Sequence, residues 1–367
     1  MNTKERNYGI DLLRITAMLM ICVYHVLGRG GIMQSTDYLS VRWAASWGLE
    51  KLTLCCVDCY ALVSGYVGIT SRHKPASWIS QWLQVVFYSL GITLLFELLW
   101  PQTVTLQQLG RSALPVLTNQ YWYFSAYTGL FLLMPLLNHI VHTFDGKKLG
   151  VILLAAARVM TLPTALFDTE VFGLNGGYST MWLALLYLIG AWVRLHGKNT
   201  VKTWVWALVY LGSCFVTFAV KMVSDYMFLH RGFRVVHGLY SAFCSPMVLA
   251  GAFALLMIFS RLRVESVKLQ KTIRILAAAS FGVYLIHVHP CIWDNWLLHA
   301  FVDVAKLPVV PMLLASVGIS AALMALCLLI DSIRIRLFAL LRLDRLAQAI
   351  GGRVEFCMKK AYTEPDA

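Results

Sequence analysis

Charged residues are scarce in this sequence, and acidic residues are the scarcer kind. Only 13% of the 367 residues are charged, with 18 aspartates and glutamates against 31 lysines and arginines, while 59% are hydrophobic. Soluble globular domains carry about 25% charged residues, so this composition excludes that class. The Walker, G-x-S-x-G, H-E-x-x-H and G-x-G-x-x-G patterns are also missing, so no common nucleotide, serine-hydrolase or zinc-protease motif is present.

Cysteines are few and do not form a metal-binding set. Nine are scattered along the chain, and the one cluster is "CCVDC", which contains Cys55, Cys56 and Cys59. A structural zinc site needs four ligands, usually as two spaced pairs, and no second pair accompanies this cluster. The sequence therefore predicts no metal site, and the cysteines are interpreted as small apolar residues that pack between helices.

Long apolar runs dominate what is present. A helix needs about 20 mainly apolar residues to cross a hydrocarbon core of about 30 Å, and ten runs of roughly this size occur, the shortest over residues 181–193. They predict an all-α, polytopic integral membrane protein with about ten transmembrane helices. The runs cover residues 10–27, 52–69, 82–100, 122–137, 149–166, 181–193, 204–220, 239–259, 275–293 and 309–330.

The basic residues predict how the helices are oriented. With the N-terminus inside, 22 of the 31 lysines and arginines fall in cytoplasmic segments and 8 in outer segments, while Arg158 lies within a run. An excess of this kind is the positive-inside pattern. Both termini are therefore expected in the cytoplasm, and the net charge of +13 is attributed to topology and not to a nucleic-acid partner.

Three segments are predicted along the chain. Residues 1–331 are expected to form the membrane domain. In residues 332–352, apolar side chains such as Ile333 and Leu337 alternate at helical spacing with arginines such as Arg334. This pattern predicts a basic amphipathic helix that lies in the inner interface beside anionic lipid. Residues 353–367 are expected to be a disordered cytoplasmic tail.

The first apolar run carries three polar side chains that are costly in hydrocarbon: Asp11, Arg14 and His25. A helix turns about 100° and rises about 1.5 Å per residue, so the three lie on one stripe, with His25 about 16 Å beyond Arg14. Asp11 and Arg14, at i and i+3, could simply pair at a helix start. A lone histidine near a helix end would likewise be a satisfied core group more often than a catalyst.

A second histidine changes this balance. In "SFGVYLIHVHP", His287 lies about thirteen residues beyond the inner boundary of the ninth run, which is the depth predicted for His25. Two imidazoles at one depth predict a shared polar cavity, where a neutral histidine can accept a proton from a hydroxyl. Asp58, in the middle of the second run, is expected to face the same interior. Arg158 needs a partner that the sequence does not identify.

Four passages resemble membrane acyltransferase family 3, the ten-span bacterial enzymes that O-acylate surface polysaccharides and other extracytoplasmic acceptors. "IDLLRITAMLMICVYH" resembles the first-helix motif and "VDCYALVSGYVG" the second-helix motif, which ends in Ser-Gly-aromatic. "YWYFSAYTGLFLLMPLL" resembles the fourth helix and "SFGVYLIH" the segment near the end of the domain. The matching positions include Arg14, His25, Ser64, Trp122, Tyr123, Tyr284 and His287.

The resemblance implies a multi-pass enzyme of the bacterial inner (plasma) membrane. Such an enzyme transfers an acyl group, expected to be acetyl, from cytosolic acyl-CoA to a hydroxyl of a surface polysaccharide or a lipid-linked sugar. Acyl-CoA is then a co-substrate, and no tightly bound cofactor is expected. Many relatives carry a fused extracytoplasmic SGNH-type domain, whereas this chain is expected to be a stand-alone membrane domain.

The resemblance also implies roles for individual residues. The CoA phosphates are expected at a basic inner mouth near Arg14, Arg72 and Lys74. Many members have an R-x-R motif at the last two of these positions, whereas this chain has Arg72, His73 and Lys74, and a lysine binds phosphate without a bidentate fork. His25 would deprotonate the acceptor hydroxyl or take the acyl group transiently. The predicted catalytic residues are His25, His287 and Asp58, and the predicted substrate-binding residues are Asp11, Arg14, Ser64, Arg72, Lys74, Trp122, Tyr123 and Tyr284.

A transporter is the alternative hypothesis. Arg14 and the histidines could form a proton-coupled relay for a small anionic metabolite or an amino acid. Transporters of that kind often contain paired broken helices in two repeat halves, and the sequence shows no such pairing. The acyltransferase is therefore the leading hypothesis, and the acceptor, the acyl chain and the choice between direct transfer and an acyl-histidine stay open.

Overall fold

The computed structural model describes residues 6–169, 171–197 and 200–363, which fold into helices with no β-strand among them. Two of the 22 lysines and arginines counted as cytoplasmic, Lys4 and Lys198, lie outside the described residues, as do residues 364–367 of the predicted tail. The helices are α1 (Tyr8–Gly28), α2 (Val41–Thr53), α3 (Cys56–Gly68), α4 (Pro75–Leu99), α5 (Leu106–Ala113), α6 (Trp122–Thr143), α7 (Gly146–Phe167), α8 (Thr180–His196), α9 (Thr203–Arg231), α10 (His237–Ser241), α11 (Pro246–Phe259), α12 (Val267–His287), α13 (Pro290–Ile292), α14 (Val309–Leu340) and α15 (Leu343–Thr363).

In the described part of the chain, eight segments are long and apolar enough to cross a membrane, and they contain α1, α4, α6, α7, α9, α11, α12 and α14. Two of the ten predicted runs form shorter helices, because α3 has 13 residues and α8 has 17. At about 1.5 Å per residue, α3 measures only about 20 Å. The all-α, polytopic membrane fold is thus confirmed, with two of its expected spans shorter than a bilayer core.

The two short helices lie against each other inside the helix bundle. A Cβ added to Gly65 would lie 1.9 Å from the Tyr187 carbonyl oxygen, and one added to Gly190 would lie 2.0 Å from the Leu62 carbonyl oxygen. Glycine at both positions lets the two backbones approach closely, which is how membrane helices commonly associate. Helix α3 also packs against α1 and α11. Because neighbouring helices enclose them, α3 and α8 need not span lipid on their own.

Helix α1 lies near the centre of the fold and packs against α3, α12 and α14. Asn7 caps its start by accepting a hydrogen bond from the Ile10 N–H, and its side-chain amide donates to the Ser260 carbonyl at 2.9 Å. Ile10 and Leu13 are at most 1% exposed, and Asp11 is 4% exposed. The polar stripe of α1 therefore faces protein and not lipid, which removes most of its cost.

A buried carboxylate ties α4 to α14. Asp331 is fully buried and accepts hydrogen bonds from Gln84 at 3.1 Å and from Tyr88 at 2.8 Å, both on α4. Arg334, one turn further along α14, donates to both carboxylate oxygens. Because its oxygens are hydrogen-bonded and Arg334 pairs with it, the cost of burying this carboxylate is offset.

The C-terminal part of the described chain forms two helices. Helix α14 continues past residue 331 to Leu340, and α15 occupies Leu343–Thr363, including the first part of the segment for which disorder is predicted. Helix α15 packs against α4, and Gly351 allows this approach because an added Cβ would lie 2.5 Å from the Ala76 nitrogen. The division of the chain into three segments stays a prediction.

Candidate active site

Two histidines meet at the C-terminal ends of neighbouring helices, which are the ends predicted to lie on the outer side of the membrane. His25 lies in the last turn of α1, His287 is the last residue of α12, and these helices pack side by side. The His25 Nδ1 atom lies 2.9 Å from the His287 Nε2 atom, and the ring centroids are 5.1 Å apart. The structure thus joins two residues that are 262 positions apart in the sequence.

The hydrogen bonds of this pair assign its protons. The His287 Nδ1 atom lies 2.6 Å from the Val283 carbonyl oxygen, which can only accept, so Nδ1 carries the proton. The neutral His287 ring then has its lone pair on Nε2, which accepts from the His25 Nδ1–H. In this arrangement the lone pair of His25 lies on Nε2, where it is available to a substrate.

Two cavities meet at His25. The outer cavity, of about 640 Å³, combines aromatic rings with polar groups, and the central cavity, of about 60 Å³, is narrow and mainly aromatic. Tyr24, His25, Trp122, Tyr178 and Tyr284 line both. The outer cavity adds Arg29, Gln34, Gln120, Trp293, Asp294 and His299, and the central cavity adds Met18, Ile21, Tyr60, Tyr123, Phe243 and Phe281.

A third, basic cavity lies at the inner end of α1. It has a volume of about 390 Å³ and is lined by residues that include Arg6, Asp11, Arg14 and Arg194. Asp11 accepts from Arg6 Nε at 2.5 Å and from Arg14 Nη1 at 3.2 Å, so it orients two guanidinium groups. Arg194 donates to the Tyr66 hydroxyl at 3.1 Å. Three arginines against one aspartate leave two positive charges in excess at this cavity.

Helix α1 arranges the three cavities in order across the membrane domain. Arg14 lines the inner cavity, Met18 and Ile21 line the central one, and Gly28 lines the outer one. His25 lies eleven residues beyond Arg14, which corresponds to about 16 Å along the helix. The polar stripe predicted from the sequence is therefore the side of α1 that faces these cavities.

A tryptophan that the sequence did not single out packs against His25. The Trp293 ring meets the His25 ring edge-on, with 4.7 Å between centroids. Arg29 holds Trp293 in place, because its Nε atom donates to the Trp293 carbonyl at 3.1 Å and its guanidinium also pairs with Asp294. Pro290 ends the predicted ninth span early, and the chain folds back through a π-helical turn, Trp293–Leu297. That proline was the sequence signal for this fold-back.

The predicted aromatic residues lie at the site, whereas Asp58 does not. Tyr123 lines the central cavity with Trp122 and Tyr284. Asp58 is fully buried and accepts from the Trp182 indole N–H at 3.0 Å, and its other carboxylate oxygen has no hydrogen-bond partner among the described residues. It is absent from the lining of the three cavities. The structure therefore does not bring Asp58 to the two histidines.

The predicted donor-binding residues are divided between two places. Arg72 and Lys74 line a separate cavity, of about 870 Å³, between the start of α4 and α15, and not the cavity that holds Arg14. Burial lowers the pKa of His73, between them, so it adds no charge there at neutral pH. Ser64 donates to the Tyr60 carbonyl of its own helix at 2.9 Å and lines none of the three α1 cavities.

The described part of the chain contains no cluster of metal-ligating side chains. No group of three histidine, cysteine, aspartate or glutamate side chains is placed there to hold an ion. Eight of the nine cysteines are buried, as expected for packing residues, and Cys357 is exposed. His289 is used structurally, because its Nε2–H donates to the Ser89 carbonyl at 2.9 Å and its Nδ1 accepts from the Cys291 N–H.

Comparisons with known proteins identify the family of this chain. No curated protein and no solved structure matches the chain. The family model of the acyltransferase 3 domain matches residues 7–331, which is nearly the whole chain and includes all of α1. This multi-pass membrane protein therefore belongs to the acyltransferase 3 family.

Proposed function

We propose that this protein transfers an acyl group, most simply acetyl, from cytosolic acyl-CoA to a hydroxyl of an extracytoplasmic glycan or lipid-linked sugar. The acyltransferase class follows from the family. The observation that carries the finer proposal is the position of His25. Its unprotonated Nε2 lies where a narrow aromatic cavity meets a wide outer one, and an arginine-lined cavity lies about 16 Å away on the same helix.

The inner cavity suits the phosphates of the donor. Guanidinium groups bind phosphate in a bidentate way, and Arg14 and Arg194 both line this cavity on the predicted cytoplasmic side. Asp11 supports the site indirectly, by orienting Arg14. The pantetheine arm would then run outward along α1. Arg72 and Lys74, in their separate cavity beside α15, would interact with a more distant part of the nucleotide.

The central cavity suits the thioester end of the donor. Its lining is mainly aromatic and apolar, so a thioester there is shielded from water and its hydrolysis is suppressed. Its volume is only about 60 Å³, which favours a small acyl group over a long one. This size is the structural support for acetyl as the transferred group.

The outer cavity suits a sugar. Rings of Trp122, Tyr178 and Trp293 offer apolar faces, and amide groups of Gln34 and Gln120 offer hydrogen bonds beside them. Sugars present both kinds of surface, since their C–H faces are apolar and their hydroxyls are polar. A hydroxyl that reaches His25 from this side approaches the thioester from the face opposite to the donor.

The chemistry follows from the lone pair on His25. In direct transfer, His25 Nε2 removes the hydroxyl proton, the oxygen forms an ester bond to the acyl carbon, and the carbon–sulfur bond breaks. The proton on His25 then passes to the departing thiolate, which leaves as CoA thiol. While His25 is protonated, its Nδ1–H still donates to His287, which therefore acts as a positioning residue. If Nε2 attacks the thioester itself, the carbon–sulfur bond breaks and CoA thiolate and an acyl-histidine form. The hydroxyl oxygen then takes the acyl group as the carbon–nitrogen bond breaks, and the hydroxyl proton passes to the thiolate.

Replacement of His25 tests the proposal. In cells supplied with radiolabelled acetate, or in membranes given radiolabelled acetyl-CoA, His25→Ala is expected to abolish label transfer to envelope glycan. His142→Ala is the matched control, because His142 is exposed at the opposite end of α6. Undiminished transfer by the His25 variant would contradict the proposal. Label that crosses the membrane without forming an ester would favour the transporter instead.

A further inference from the structure

Arg158 places a cation in the middle of a membrane-spanning helix. It is the thirteenth of the 22 residues of α7, and its side chain is exposed. No hydrogen bond, ion pair or ring contact joins it to any residue in the described part of the chain. A guanidinium at this depth is costly unless it is paired or reaches the interface. None of the described residues is therefore its partner, which leaves that role to a group from outside them.

Arg158 lies in an apolar groove of the membrane domain. The groove has a volume of about 490 Å³ and lies between α7, α8, α9 and α11. Its volume falls within the range of about 300–1,000 Å³ that is usual for small-molecule sites. Among its lining residues there is no carboxylate, so nothing in the wall neutralises the arginine. The lining includes Leu154, Thr161, Trp192, Trp206, Pro246 and Phe253.

The groove is polar at one end and apolar at the other. Gly150, near the start of α7, lies beneath the Trp192 ring, and the Trp206 and Phe253 rings pack together at 5.6 Å. Arg158 is eight residues further along α7, or about 12 Å. One leaflet of the hydrocarbon core measures about 15 Å, so this length accommodates most of one acyl chain.

We propose that the groove binds a single-chain lipid carboxylate, that is, a fatty acid, with its carboxylate on Arg158 and its chain along the aromatic end. A carboxylate matches the guanidinium as a hydrogen-bonding partner, and pairing would offset the cost of a charge at this depth in the membrane. A groove of about 490 Å³ accommodates one acyl chain more readily than two. The groove shares no lining residue with the three α1 cavities, so this site is independent of the proposed transfer reaction.

Photolabelling in a bilayer tests this site. The full chain in phosphatidylcholine nanodiscs is irradiated with palmitic acid that carries a diazirine on its chain, and adducts are mapped by peptide mass spectrometry. Adducts are expected on the groove segments of α7 and α11, and oleate is expected to compete for them whereas methyl oleate is not. Arg158→Gln should reduce the labelling about tenfold or more, since it removes a charge-assisted hydrogen bond, and Arg158→Lys should retain part of it.

Two further variants serve as controls. Arg111→Gln removes a cation from α5, outside the groove, and is expected to leave the labelling unchanged. Ala250→Trp fills the groove but keeps Arg158, and it is expected to abolish the labelling. It therefore tests the site even if Arg158→Gln folds poorly. Equal labelling of wild type and Arg158→Gln would overturn the proposal, because the arginine would then pair with water or headgroups. Competition by phosphatidylglycerol but not by oleate would overturn it in favour of a phospholipid.

Discussion

Removing the hydrogen-bond acceptor behind His25 should slow the acyl transfer without weakening donor binding. In His287→Phe the ring volume is largely kept, but the Nε2 atom that lies 2.9 Å from His25 Nδ1 is lost. No side chain at that position then accepts the His25 Nδ1 proton. The proton can therefore move to Nε2, and the ring loses the lone pair that faces the substrate. The imidazolium that forms during transfer also loses its acceptor.

The size of the effect can be worked from that one bond. When His25 is protonated, the bond to His287 is charge-assisted, and such bonds contribute about 1.5–3 kcal/mol. Because about 1.36 kcal/mol corresponds to a tenfold change in rate, kcat should fall roughly 10- to 150-fold. The KM for acetyl-CoA should change little, since the arginines of the inner cavity lie about 16 Å away along α1.

Membrane vesicles that contain the envelope glycan of the expression host provide the assay. Initial rates of label transfer from acetyl-CoA are measured against donor concentration for wild type, His287→Phe and His287→Gln. The glutamine variant keeps a side-chain acceptor, so it should recover part of kcat. A wild-type kcat in His287→Phe would refute the proposed role of the pair. A loss that appears only as a raised KM for acetyl-CoA would refute it as well.

Three further predictions follow from other contacts. Arg14→Ala should raise the KM for acetyl-CoA about tenfold or more with a smaller effect on kcat. Arg14→Lys should recover only part of the donor affinity, since lysine lacks the bidentate fork. A change in kcat alone would contradict donor binding at Arg14. Trp293→Leu should lower kcat at unchanged donor KM, because the ring that packs on His25 is lost; steady-state rates check this. Asp331→Ala should destabilise the fold by about 3–5 kcal/mol, because it leaves the mostly buried Arg334 guanidinium unpaired. Asp303→Ala, at an exposed pair, should not destabilise the fold, and thermal unfolding in detergent separates the two.

Sequence alone determined the class of the protein and the local order of its helices. Apolar runs of about 20 residues predict membrane helices because a helix satisfies its own backbone hydrogen bonds in lipid, whatever surrounds it. The stripe of Asp11, Arg14 and His25 was likewise readable, because positions on one helix follow from a fixed rotation per residue. The family was recognisable from four motifs, and the family model confirms it.

Tertiary structure alone decided which distant side chains meet. His25 and His287 are joined across 262 positions, and a one-residue change in the packing of α12 would turn the second ring elsewhere. The same kind of contact placed Trp293 on His25, moved Arg72 away from Arg14 and enclosed Asp58 beside α8. Periodicity fixes the faces of one helix, but it carries no information on which faces of different helices pack together, because that choice depends on side-chain fit across the whole bundle.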